Sequence, residues 1–176
     1  MADSLDKFFN PKSVCVIGAS RNPKKIGHVI LRNFKEAFKG KIYPVNPKAK
    51  RILGLKCYPS VSDINADLAV ISLPAKVVPD VLEACGKNKI KNCIIVSSGF
   101  KEIGNMKIEN ELKRIAKTYD IRIIGPNGLG VYDPYSGVDT IFNPKYKLGR
   151  PKKGNIGFVS QSGATMCIVL DWMSMK

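Results

Sequence analysis

The sequence predicts an α/β fold with a doubly wound parallel sheet. Short, continuously apolar segments alternate with stretches whose apolar residues recur at helical spacing, the pattern of strands buried on both faces beneath amphipathic helices. The apolar segments end in Gly, Ser, Asn and Pro, the residues that βα turns favour. At 176 residues and 44% hydrophobic content, the chain suits one ordinary α/β domain, which commonly takes roughly 100–200 residues, plus a remnant.

Val14, Cys15, Val16, Ile17 and Gly18 make the first strand. Residues 26–38 follow as a helix with Val29, Ile30, Phe34, Ala37 and Phe38 on one face. Residues 41–46 and 68–73 are the second and third strands. The next helix sets Val77, Val78, Val81, Leu82 and Cys85 at helical spacing, and residues 93–97 form the fourth strand. A helix over 106–119 places Ile108, Leu112, Ile115, Ala116 and Tyr119 together, and residues 121–124 close the set as a fifth strand. From Asp133 to Gly154 the pattern dissolves into Pro, Gly and Lys and reads as a linker. Residues 155–159 then read as a new strand, leading through Ser160, Gln161, Ser162 and Gly163 into an apolar run over 164–173. One strand and one helix cannot bury a core, so a second α/β domain is expected to start here and be cut off. The division is 1–132 for a Rossmann-like domain, 133–154 for the linker and 155–176 for the start of the second unit. Its apolar residues Ile168, Leu170 and Trp172 are expected to be exposed and to allow pairing between copies, a homo-oligomer.

A net charge of +15 invites a nucleic-acid reading. However, Lys and Arg are scattered, and no helix-turn-helix, zinc-knuckle or RNA-binding signature appears. A lysine-rich solvated surface and a polyanionic small ligand both account for the charge, and they are compatible. No apolar run reaches the roughly 18 residues needed to cross a bilayer, and no signal-peptide pattern opens the chain, so a cytoplasmic protein is expected. Cys15, Cys57, Cys85, Cys93 and Cys167 lie far apart without a C-x-x-C pair. They read as reduced thiols packed as small hydrophobes, and no metal set is expected. His28, the only histidine, lies inside the first helix, where a structural role outweighs catalysis.

In parallel sheets, ligands bind outside the carboxyl ends of the strands. Those ends carry Gly18, Ala19, Ser20 and Arg21; Asn46, Pro47 and Lys48; Ser72, Leu73 and Pro74; Ser98, Gly99 and Phe100; and Gly125, Pro126 and Asn127. Turn preference alone explains any one of them, but five on one rim suggest a binding site. The dinucleotide fingerprint G-x-G-x-x-G is missing, because Ser20 and Pro23 stand where its later glycines would fall. Nor does the second strand end in the acid that accepts hydrogen bonds from a ribose diol. Asn46, Pro47 and Lys48 stand there, with Lys50 and Arg51 close behind. Cation in place of acid suits a ribose bearing its own phosphate, as in NADP or coenzyme A; chance surface lysine is the bland reading of Lys48. Ser20 and Arg21 can offer a hydroxyl, N–H groups and a guanidinium to a diphosphate at a helix start, although Ser20 is equally explained as a plain N-cap.

Several segments, taken in order, resemble the CoA-binding domain of the NDP-forming acyl-CoA synthetases. This family includes the archaeal ADP-forming acetyl-CoA synthetases and is related to the succinyl-CoA ligase α subunit. The resemblance rests on Phe9-Asn10-Pro11-Lys12-Ser13-Val14, Val16-Ile17-Gly18-Ala19-Ser20 and Gly40-Lys41-Ile42-Tyr43-Pro44-Val45-Asn46-Pro47-Lys48. It continues through Gly54-Leu55-Lys56-Cys57-Tyr58-Pro59-Ser60-Val61, Ser97-Ser98-Gly99-Phe100-Lys101-Glu102, Gly125-Pro126-Asn127-Gly128-Leu129-Gly130 and Ser160-Gln161-Ser162-Gly163-Ala164. It implies coenzyme A across the first domain, held by Gly18, Ala19, Ser20, Arg21, Asn46, Lys48, Ser72, Leu73, Pro74, Ser98, Gly99, Phe100 and Asn127. It also implies a flavodoxin-like second domain in which Ser160, Gln161, Ser162 and Gly163 head a phosphate-cradling helix. The implied reaction is acyl-CoA plus ADP and phosphate giving acid, CoA and ATP through a phosphohistidine, with an ATP-grasp subunit or domain supplied elsewhere. The chain departs from the pattern at Gly128, where Cys is common, and His28 does not match the phosphorylated histidine. The expectation is therefore a CoA-binding portion without catalysis of its own. The rivals are a stand-alone CoA-binding or regulatory module and an NADP-dependent oxidoreductase.

Overall fold

The computed structural model describes residues 5–175. A short helix α1 (Asp6–Phe9) precedes strand β1 (Ser13–Ile17), helix α2 (Ile26–Ala37) and strand β2 (Lys41–Val45). A small hairpin follows, β3 (Arg51–Ile52) with β4 (Leu55–Lys56), and then β5 (Leu68–Ile71), α3 (Val78–Lys87), β6 (Asn92–Ile95), α4 (Met106–Tyr119) and β7 (Arg122–Ile124). The last elements are a second hairpin, β8 (Tyr132–Asp133) with β9 (Val138–Asp139), and helix α5 (Gly163–Ser174). The five expected strands form one parallel sheet in the order β2-β1-β5-β6-β7. The chain steps outward from β1 in one direction to β2 and in the other to β5, so the order reverses between β1 and β5. Crevices above that reversal are where such sheets take ligands.

Strand side chains alternate between two cores, as the pleat dictates. Cys15, Ile17, Ala69, Ile71, Cys93 and Ile95 face α3 and α4, where Val78, Leu82, Leu112 and Ile115 cover them. Val14, Val16, Leu68, Val70 and Ile94 face the other way and are covered by Ile30, Leu31 and Phe34 of α2, with Phe8 of α1. All five cysteines are free. Burial pushes the Cys15 thiol well up. A hydrogen bond with the Cys85 thiol and then burial do the same for Cys93, so both stay protonated.

Two expectations need correction. Residues 133–154 do not form a loose linker. Val138, Asp139, Thr140, Ile141 and Leu148 are buried there, and Val138 belongs to the core beneath α2. Asn33 of α2 donates to the Ile141 carbonyl at 2.8 Å. The pairing is only two residues long on each strand, too short to show a period in a Pro- and Gly-rich sequence. Residues 155–159 are not a strand. They run exposed, with Val159 at 96%, because a strand forms only against a partner edge and the described residues offer it none. Helix α5 does form, and Leu170 is not exposed as expected but is buried against Ile141 and Leu148. Ile168 and Trp172 remain on its outer face, 70% and 62% exposed.

A buried ion pair fastens this return segment. Arg150 Nε donates to Asp139 Oδ2 at 2.8 Å, and its other nitrogens donate to the carbonyls of Leu148, Ile141 and Asn143. The side chains are only 8% and 3% exposed. Burial pushes the Asp139 carboxyl up and the guanidinium pulls it back. Removing one partner from such a pair strands the other charge. Arg150→Ala is therefore expected to lower unfolding free energy by about 3–5 kcal/mol in chemical denaturation. Replacing both partners, as Asp139→Leu with Arg150→Met, should cost clearly less.

Candidate functional site

The five turns predicted as one rim do lie together at the carboxyl ends of β2, β1, β5, β6 and β7. They are stitched sideways, each to the next. Gly18 N–H donates to Val45 O (3.1 Å), and Ser72 N–H to Ile17 O (2.9 Å). Val96 N–H donates to Ile71 O (3.1 Å), and Asn127 N–H to Ser97 O (2.9 Å). The Ser97 hydroxyl accepts from Leu73 N–H at 3.1 Å, so one serine holds the turns on both sides of it. The sheet ladder thus continues past the strands, and the rim is fixed by its own hydrogen bonds.

At the first turn the helix and strand approach unusually closely. Gly18 has φ +90°, and a Cβ on it would lie 2.5 Å from the Ser72 carbonyl oxygen. A Cβ on Gly27, in the first turn of α2, would collide with the Gly18 carbonyl. Close helix–strand packing is the third glycine's task in the dinucleotide fingerprint. Gly27 performs it here from farther along the chain, which a search at fixed spacing passes over. The one available signal was a glycine near a helix start, where better helix formers are the rule.

The loop from Ala19 to Lys25 differs from expectation. Ser20 and Arg21 are not at the helix start, since α2 begins at Ile26 with Lys25 as its N-cap residue. Ser20 is therefore not an N-cap. Its hydroxyl accepts from Asn22 N–H at 3.1 Å, and the Asn22 side chain accepts from Lys24 N–H at 2.9 Å. The Ser20 carbonyl accepts from His28 Nδ1 at 2.8 Å, which gives the buried His28 a structural role and fixes its tautomer with the proton on Nδ1. No side chain caps α2, and its first turn holds no acid. The positive end of the helix therefore stays open towards the rim.

Charge follows the same geography. Between Asp6 and Asp63 the only acid is Glu36, against thirteen Lys and Arg residues. Glu36 is at the far end of α2, bonded to Arg32 and Lys145. Arg21, Lys24, Lys25, Lys48, Lys50 and Arg51 are exposed on the loops beside the β1 and β2 ends. Arg21 Nε donates to the Arg51 carbonyl at 3.2 Å, and Arg51 donates to Gly54 O at 2.9 Å. Both guanidiniums are therefore tied to backbone carbonyls of the β3–β4 hairpin, which the sequence did not reveal.

Other predicted residues take different places. Ser72, Leu73, Pro74, Ser98, Gly99 and Asn127 are on the rim at intermediate or full exposure. Phe100 is not: the whole residue is 0% exposed, in the core, because the turn needs an apolar anchor there. The Asn46 side chain is engaged with the Ala19 carbonyl and Lys48 N–H. Ser160 is half-buried, and Gln161, Ser162 and Gly163 are exposed. Ser162 caps α5, its hydroxyl accepting from Thr165 N–H at 3.3 Å, and no strand delivers them. Glu102, unnoticed in the sequence, shapes the fourth turn. Its carboxylate accepts from the Gly99 and Phe100 N–H groups, while Asn105 donates to Gly99 O.

Residues 12–134 match the CoA binding domain family. The ADP-forming acetate–CoA ligase of Methanocaldococcus jannaschii is 48% identical over 163 residues, covering 92% of this chain and 22% of that protein. The alpha subunit of ADP-forming acetate–CoA ligase II from Pyrococcus furiosus is 43% identical over 164 residues, covering 91% and 35%. The solved dinucleotide-forming acetyl-coenzyme A synthetase 1 of Ca. Korarchaeum cryptofilum, in complex with phosphate and ADP, superposes with a TM-score of 0.89 at 44% identity. It covers 97% of this chain and 37% of its own. The chain spans 22% to 38% of the length of the curated relatives it matches.

The Gly99 N–H, followed by other backbone donors, holds the Glu102 carboxyl below the ordinary glutamate value of 4.5. A depressed carboxylate contributes its ordering above the unfolded value and loses it as pH falls through the folded one. The Gly99 and Phe100 amide shifts are therefore expected to titrate with a midpoint below 4.5. Glu102→Ala should abolish that titration and speed amide exchange at both positions.

Proposed function

The chain belongs to the CoA-binding domain family, and from that premise we propose that its rim holds coenzyme A as the CoA-binding portion of an ADP-forming acyl-CoA synthetase. The observation that carries the reading is the cationic loop pair beside the β1 and β2 ends, lacking both the ribose-binding acid and the dinucleotide glycines. Coenzyme A supplies a thiol that accepts the acyl group, and its adenosine end carries a diphosphate and a separate ribose phosphate. Lys48 and Arg21, exposed and tied to neighbouring turns, suit the ribose phosphate. The open start of α2 and the N–H groups of residues 19–21 suit the diphosphate. The thiol arm then runs past Ser72, Leu73 and Pro74 towards Ser98, Gly99 and Asn127. Close backbone approach at Gly18 and Gly27 leaves the first turn without side-chain bulk, as a flat nucleotide end requires.

Three further parts of the reading rest on the relatives. The name of the Pyrococcus protein, a subunit alpha, supports a partner subunit that carries an ATP-grasp domain. A phosphate-cradling role for Ser160, Gln161, Ser162 and Gly163 belongs to the longer protein, in which α5 would head towards the phosphorylated histidine. Among the described residues no helix is long and apolar enough to cross a membrane, in keeping with a cytoplasmic enzyme.

Isothermal titration against CoA, 3′-dephospho-CoA, NADP and NAD tests the reading. CoA is expected to bind best, and Lys48→Ala to weaken it by about 1.5–3 kcal/mol, roughly tenfold or more, while leaving 3′-dephospho-CoA nearly unchanged. A preference for NADP over CoA would defeat the assignment.

A further inference from the structure

Asn46 occupies a place that its exposure alone does not explain. Its amide nitrogen donates to the Ala19 carbonyl at 2.8 Å, twenty-seven residues away in sequence. Its amide oxygen accepts from Lys48 N–H at 2.8 Å, closing a turn around Pro47. The backbone is engaged as well, with Asn46 N–H donating to Tyr58 O at 2.9 Å and the Cys57 thiol donating to Asn46 O at 3.7 Å. One amide group thus joins the turn after β1 to the turn after β2. Only Asn or Gln offers a donor and an acceptor on one planar group, and only the shorter Asn closes a turn onto the N–H two residues ahead.

These two turns carry the cations of the rim. Lys48 is next to the acceptor end of the amide. Arg21 is two residues beyond the donor end, where its own bond to the Arg51 carbonyl ties it to the same hairpin. Ala19 is fully buried, so the donor end of Asn46 is anchored on a point that cannot drift. The spacing between the Lys48 backbone, from which its ammonium extends, and residues 19–21 is therefore set by the reach of a single side chain.

We propose that Asn46 is a positioning residue: by clamping the two turns it holds Lys48 at the distance that lets the site select an adenosine ligand with a phosphate on its ribose. This rests on the reading of the rim as a coenzyme A site. It gives Asn46 a role beside the direct ligand contact expected from the sequence, since both ends of its amide face protein partners.

The test is a double-mutant cycle on the 176-residue chain, with CoA and 3′-dephospho-CoA as probes in calorimetry and thermal unfolding followed in parallel. Asn46→Ala is expected to weaken CoA about tenfold, the loss of roughly two hydrogen bonds' worth of ordering. It should lower the preference for CoA over 3′-dephospho-CoA by about fivefold, keeping most of its effect on the ribose-phosphate end. In a Lys48→Ala background the same change should cost CoA affinity less than about twofold, because the cation that Asn46 positions is gone. Asn46→Ser keeps the turn onto Lys48 N–H but cannot reach Ala19. It should unfold near the wild-type temperature and still lose preference, which separates the clamp from the fold. Equal weakening of both ligands, or a full loss persisting in the Lys48→Ala background, overturns the positioning role while leaving the CoA site standing. Failure of the wild-type chain to bind CoA overturns both.

Discussion

The fold and the site depend on one close contact, where the start of α2 meets the end of β1 without a side chain between them. Gly27 rests on the Gly18 carbonyl, and Gly18 rests on Ser72 of the neighbouring strand. A Cβ at either place would push the helix off the sheet or part β1 from β5. With the contact in place, the positive end of α2 is directed at the reversal in strand order, and the loop from Ala19 to Lys25 joins the two. Packing density and ligand geometry are therefore set by the same atoms, so a change here would damage both.

The remaining rim follows the same economy. Hydrogen bonds between successive turns extend the ladder beyond the strands, and side chains that might have met a ligand are used to fix backbone. Ser97 holds two turns, Glu102 holds the Gly99 and Phe100 amides, and Asn46 holds the β1 and β2 turns to each other. What is left facing solvent is mostly main chain, hydroxyls and cations. A site built this way needs little reorganisation to take a polyanion, which is where its affinity would come from. The charge of +15 is thus uneven in effect. Cations on α2, α3 and α4 pair with Glu36, Glu83, Glu109 and Glu111, whereas among the described residues those on the first two rim loops form no ion pair.

Particular elements show how far the sequence could be read. The helix near 106–119 was legible, because a long amphipathic stretch repeats its period several times. The five parallel strands were legible as continuous apolar runs, their ends uncertain by a residue or two. The hairpins at 51–56 and 132–139 were not, since two-residue strands carry no period. Residues 155–159 read as a strand and are not one, because β structure exists only in pairing and a lone sequence does not state its partner. Within the site, the turns were legible as chemistry, whereas the roles of Gly27, Asn46, Phe100 and Glu102 were not.

By itself the sequence determined the class of fold and marked the strand-end turns, with their cations and missing acid, on which a ligand was expected. Those follow from local rules: periodicity, turn chemistry, and the presence or absence of charge at a named strand end. Tertiary structure alone decided which rim residues face outward and which are consumed in holding the rim together. That choice depends on contacts between residues far apart in the chain, such as Asn46 with Ala19, Glu36 with Lys145 and Asn33 with Ile141. Whether a polar side chain is free to meet a ligand is a question of who else has reached it first, and only the folded chain brings those competitors together.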